Sequence, residues 1–90
     1  MTDDPVIAGL RERITAADRA VLEAVNGRLE LVAELKAYKE EHGIGFLDPD
    51  RERRLLEQLR EVNPGPLSAE GVDELFGTIL ELVKRELRAG

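Results

Sequence analysis

Cysteine is absent from this 90-residue chain and histidine occurs once, at His42. Without cysteine there is no disulfide framework and no thiolate metal site, and a single imidazole is too few for a nitrogen-ligated zinc. No apolar run approaches the length of a membrane span. The first residues, MTDDPV, are acidic where a signal peptide would have a basic segment and an apolar core, so a cytoplasmic location is expected. Basic residues are outnumbered: 13 Lys and Arg stand against 19 Asp and Glu, for a net charge of -6 and a pI near 4.8. That balance argues against nucleic acid as a partner, because its binding depends on basic surface. Any anionic ligand would need a local basic cluster to overcome the background. At this length a lone hydrophobic core is marginal unless a disulfide, a metal or a partner chain adds to it. With the first two absent, a partner chain is the expected source of stability.

What is present is helical. Hydrophobic residues at 42% argue for a folded chain, and charged residues at 36% argue for helices with solvated outer faces. Asp4-Pro5 opens the first helix: Asp caps free backbone N–H groups and Pro suits the first helical position. Only Gly9 and Gly27 weaken the stretch up to about residue 41, at roughly 1 kcal/mol each relative to alanine, and His42-Gly43 supplies the stop. A second Asp-Pro pair, Asp48-Pro49, opens helix two, with Leu55, Leu56, Leu59 and Val62 on one side. Asn63-Pro64-Gly65-Pro66 ends it at about residue 62. Ser68 caps helix three, about residues 69–88, where Val72, Leu75, Phe76, Ile79, Leu80, Val83 and Leu87 follow helical spacing. No strand pattern or repeat is visible. The expected class is all-α: a single domain over residues 1–90, three helices with one long N-terminal helix.

Helix one would be roughly 55 Å long at 1.5 Å per residue, whereas a compact globule of this chain length has a radius of gyration of about 12 Å. It should therefore overhang its own domain. Its apolar stripe (Ile7, Leu10, Ile14, Ala17, Val21, Val25, Val32, Leu35) continues along the overhang and needs cover from another chain. Two-fold pairing of the long helices is the simplest arrangement. Arg28 and Lys39 fall in the middle of that stripe, with Arg11 and Asp18 at its flank. Burying an unpaired cation costs several kcal/mol. These groups either set register or snorkel to water, or they form, with the apolar wall, a site for a small multiply charged anion. The run Asp48-Pro49-Asp50-Arg51-Glu52-Arg53 adds charge at the start of helix two, beside the loop that returns from Lys39.

The pattern Leu10-Arg11-Glu12-Arg13-Ile14 with Asp18, then Arg28, then Lys36-Ala37-Tyr38-Lys39, then Asp48-Pro49-Asp50-Arg51-Glu52-Arg53, resembles the small all-helical chorismate mutases. The match keeps order and spacing from about Pro5 to Leu59 and continues more weakly through Leu75-Phe76 and Ile79. The resemblance implies an intertwined helical homodimer that rearranges chorismate to prephenate in aromatic amino-acid biosynthesis, without cofactor or metal. It implies that Arg28 and the partner chain's Arg11 hold the substrate's carboxylates and that Lys39 bonds a carboxylate and the ether oxygen. Arg51 would assist at the carboxylate end, and Asp48 and Glu52 would bind the ring hydroxyl, Asp48 through its backbone or side chain. Leu35, Leu55, Val83 and Leu87 would line the pocket. Helical arithmetic agrees: Arg28 and Lys39 are about 16 Å apart along the axis and about 20° around it. Arg11 and Arg28 are roughly 25 Å apart, too far to grip one small molecule in the same chain.

One region departs from the pattern. Aligned without gaps on Leu75-Phe76, the helix-three positions where many relatives carry a hydroxyl and a glutamine or glutamate are Val83 and Leu87. Lys84 or Glu86 could take the place of that polar group if the helix is rotated or the short loop before it shifts the register, but both are read first as solvated residues near the C-terminus. Two other readings stay open: an isochorismate pyruvate lyase using the same cationic pocket, and a non-catalytic helical dimerisation or regulatory module. The resemblance also leaves room for a partner enzyme of the aromatic pathway that completes the site.

Overall fold

The computed structural model describes residues 4–89 and contains three α-helices: α1 (Pro5–Glu41), α2 (Pro49–Val62) and α3 (Ala69–Ala89). Each boundary has a local chemical cause. Asp4 Oδ1 accepts from the backbone N–H of Val6 at 2.8 Å and of Ile7 at 3.3 Å, which satisfies donors that have no partner inside the helix. At the other end of α1 the Ile44 N–H donates to the Lys39 carbonyl at 2.8 Å and the Gly43 N–H to Glu40 at 3.4 Å. Gly43 takes a φ of 66°, the left-handed conformation that this double closure requires and glycine adopts without a steric penalty.

Asp48 caps α2, its Oδ1 accepting from the Arg51 N–H at 3.0 Å, with Pro49 in the first turn. After α2, Asn63 shapes the turn with both ends of its amide: Oδ1 accepts from the Gly65 N–H at 3.0 Å and Nδ2 donates to the Leu67 carbonyl at 2.7 Å. Ser68 Oγ accepts from the Gly71 N–H at 2.9 Å and so caps α3. Gly71 is held by space here: a Cβ would stand 2.7 Å from Leu67 Cδ1.

The chain divides into two units, the first ending at Leu31 and the second beginning at Val32. The first is helical from Pro5 onward. Most of its apolar residues are exposed: Leu10 is 49% accessible, Ile14 59% and Val21 59%. Arg11 and Asp18, at the flank of the stripe, are exposed as well. Val25, Arg28 and Leu29 are half-buried.

The second unit is organised around α2 against α3. Val72 and Val83 are its buried residues, at 3% accessibility each. Leu55, Leu56 and Leu59 of α2 and Phe76, Ile79, Leu80 and Leu87 of α3 are half-buried around them. Two ion pairs tie the helices together, Arg60 with Asp73 and Lys84 with Glu52. Val62 and Leu75, read from spacing as core-facing, are 65% and 45% exposed instead. Val62 is the last residue of α2, where the helix ends before it can carry the side chain under α3. Because Val83 is packed on all sides, Val83→Ala should lower stability by about 2 kcal/mol, the sum of lost methyl burial and a residual cavity. A denaturant midpoint with an unchanged m-value would register this; an unshifted midpoint would show that neighbouring side chains refill the space.

Candidate active site

The second unit holds four of the six predicted substrate contacts: Lys39, Asp48, Arg51 and Glu52. Lys39 is half-buried, and its Nζ donates to the Phe46 carbonyl at 3.4 Å. That contact draws the loop between α1 and α2 over the end of α1. Asp48, Arg51 and Glu52 share the first turn of α2 because Asp48 caps it: its side chain accepts from the Arg51 N–H, and its carbonyl from the Glu52 N–H at 3.1 Å. Oδ1 and the backbone carbonyl of Asp48 are thus engaged in starting the helix. Arg51 is exposed and forms no salt bridge among the described residues, whereas Arg53 pairs with Asp50 at 3.0 Å.

Glu52 is half-buried, and Lys84 donates to its Oε1 at 2.9 Å across the helix pair. The two side chains are 26% and 25% accessible. The Lys84 ammonium also lies 3.5 Å from Glu81, one turn earlier on its own helix. The hydrogen bond to Glu52 holds Lys84 above the ordinary lysine value, outweighing the lowering that burial alone would cause. The expectation that Lys84 is a solvated residue is therefore corrected. It sits between Leu80 and Leu87 in helical spacing, on the inward face of α3. Glu86, by contrast, is exposed.

A cleft of about 310 Å³ opens beside this pair, lined by Lys36, Phe46, Leu47, Lys84, Leu87 and Arg88. Three cations converge on it, although the chain as a whole is acidic. Leu87 stands on its wall as expected and also borders a smaller cleft of about 260 Å³ with Ala33, Lys36, Ala37, Glu40 and Glu86. Of the other expected lining residues, Val83 is in the core, Leu55 is half-buried on α2, and Leu35 is 49% exposed. Lys36, Phe46 and Arg88 are not among the expected contacts, and Lys84 is expected there only as a substitute for the missing polar group of helix three. Lys84 had a visible signal, a basic residue at core spacing on an amphipathic helix. Phe46 had none, since a loop residue carries no periodicity.

The first unit holds the other two contacts. Arg28 is half-buried, and its Nη1 is shielded from solvent with no hydrogen-bond partner among the described residues. A buried donor on a charged group is normally satisfied, and leaving it unpaired is costly. Arg11 is exposed and lines a groove of about 430 Å³ with Glu12, Thr15 and Arg19. No helix among the described residues is long and apolar enough to cross a membrane.

Residues 10–87 match the family model described as chorismate mutase type II. The T-protein of Enterobacter agglomerans is 35% identical over 81 residues; the match takes in 89% of this chain and 21% of that protein's length. Among solved structures, chorismate mutase from Thermus thermophilus is similar in two forms. Form I superposes with a TM-score of 0.83 at 32% identity, covering 86% of this chain and 96% of that one. Form II gives a TM-score of 0.86 at 30% identity, covering 91% and 93%.

Proposed function

The chain belongs to the chorismate mutase type II family, and we propose that it acts as a cytoplasmic homodimer, one catalytic domain per chain, isomerising chorismate to prephenate. The observation that carries this reading is the Arg28 guanidinium, which is folded into a half-buried position with one donor nitrogen shielded and unpartnered among the described residues. A fold that only needed helix packing gains nothing from such a group, whereas a fold that receives a carboxylate does.

The reaction is a unimolecular pericyclic rearrangement and calls for no nucleophile or proton transfer. The protein has two tasks. It confines a flexible dianion in its reactive chair form, and it places cations where negative charge develops as the ether bond breaks. Arg28 and the partner chain's Arg11 would take the two carboxylates, with Arg51 assisting. Lys39 supplies a compact point charge for the ether oxygen. Glu52 accepts the ring hydroxyl, and Asp48, through the cap it provides, sets the turn on which Glu52 and Arg51 stand. The exposed apolar residues of α1, which a second copy of the same helix would cover, support the dimer.

The test is incubation of the pure protein with chorismate, with loss of substrate and identity of product followed together. Stoichiometric prephenate is the expected result. Pyruvate among the products would indicate a lyase, and unchanged chorismate would indicate a module that has lost turnover.

A further inference from the structure

The ion pair between α2 and α3 falls on a predicted substrate contact. Lys84 Nζ holds Oε1 of Glu52 at 2.9 Å, and the hydrogen bonds among the described residues leave the Glu52 Oε2 atom free. The α3 residues one position before Lys84 and one turn after it, Val83 and Leu87, have no hydrogen-bonding group. Lys84 is consequently the donor through which α3 reaches the first turn of α2. Its two acidic neighbours are not equivalent. Glu81 is 74% exposed, free to swing into water, whereas Glu52 is 26% exposed and has little room to turn.

We propose that Lys84 is the positioning residue for Glu52: it fixes one carboxylate oxygen so that the other is held in a single orientation to accept the substrate's ring hydroxyl. This rests on the reading of the site given above. Without the ammonium, a half-buried carboxylate loses its donor and turns toward water to recover one. The hydroxyl then meets an averaged acceptor in place of a fixed one. A contact to a ring hydroxyl is present in both bound substrate and transition state, so its loss appears in KM more than in kcat.

Two measurements on the same proteins test this. In isotope-labelled wild type, three-bond couplings of the Glu52 side chain should report one rotamer, which Lys84→Met averages and Lys84→Arg largely retains. In steady-state kinetics on chorismate, Lys84→Met should raise KM about tenfold with kcat nearly unchanged, and Lys84→Arg should recover most of the loss. In a Glu52→Ala background, Lys84→Met should have no further effect on KM, because the residue through which it acts is gone. A single Glu52 rotamer in Lys84→Met overturns the proposal. So does a tenfold KM effect that persists in the Glu52→Ala background, which would place Lys84 directly on the substrate. A wild-type protein inert toward chorismate would overturn the proposed function, while the couplings alone would still decide whether Lys84 positions Glu52.

Discussion

Arg11→Ala chains mixed with an equal amount of Arg28→Ala chains should regain about a quarter of the wild-type turnover per chain, although each variant alone is reduced by orders of magnitude. The expectation follows from helix geometry. Both arginines lie on α1, an unbroken helix from Pro5–Glu41, seventeen residues apart in sequence. At 1.5 Å per residue that is roughly 25 Å, more than one small dianion can span. If each pocket takes Arg28 from one chain and Arg11 from its partner, the mixed dimer collects both defects in one pocket and neither in the other. Random pairing makes half of the dimers mixed, and half of their pockets are intact. The measurement is chorismate turnover after the two chains are unfolded together and refolded, with exchange confirmed by mass tags. Mixed dimers that form and stay inactive would show that Arg11 and Arg28 of one chain serve the same pocket, whereas full turnover by Arg11→Ala alone would show that Arg11 serves none. A protein that sediments as a folded monomer near 10.0 kDa at micromolar concentration would remove the shared pocket altogether.

Lys39→Ala should lower kcat by about a hundredfold to a thousandfold, the range seen when a preorganised donor is removed from a developing oxyanion. Its structural contribution is small by comparison. The one side-chain hydrogen bond that Lys39 makes among the described residues is long, 3.4 Å to the Phe46 carbonyl, and a bond of that geometry contributes on the order of 1 kcal/mol or less. Removing the cation also relieves a half-buried charge. The variant should therefore unfold at or slightly above the wild-type denaturant midpoint while its turnover collapses. Near-normal turnover with a lowered midpoint would instead make Lys39 a strut that holds the loop through Phe46.

How much of this was legible before the fold depends on the range of the interaction. Helix ends are written in a few adjacent residues: Asp4-Pro5, Asp48-Pro49 and Ser68 supply acceptors for nearby N–H groups, and Gly43 supplies a left-handed turn. All four act within a few positions, and all stand where the spacing placed them. Family membership was equally legible, because the charged pattern from Arg11 to Arg53 keeps its order and spacing along the chain. The pairing of Glu52 with Lys84 was not. It joins residues 32 positions apart, and its sign is clear only once α2 and α3 are known to face each other. Each residue alone resembled a charge at a solvated edge. Val62 and Leu75 fail in the opposite direction, apolar by spacing yet wet in this chain, because periodicity reports a face and not how far the neighbouring helix extends. The stripe on α1 is a third case. Its spacing is clear, but the surface that would cover it belongs to another molecule.

The lone Nη1 of Arg28 also has a thermodynamic consequence. A desolvated donor raises the free energy of the empty folded state, and a bound carboxylate relieves that cost only in the native protein, since the unfolded chain has no pocket. Ligand occupancy then adds to stability as RT ln(1 + [L]/Kd), about 2.7 kcal/mol at a hundredfold excess over Kd. If Arg28 takes a substrate carboxylate as proposed, the equilibrium stability of the folded chain rises with the supply of the dianion and falls when it is scarce.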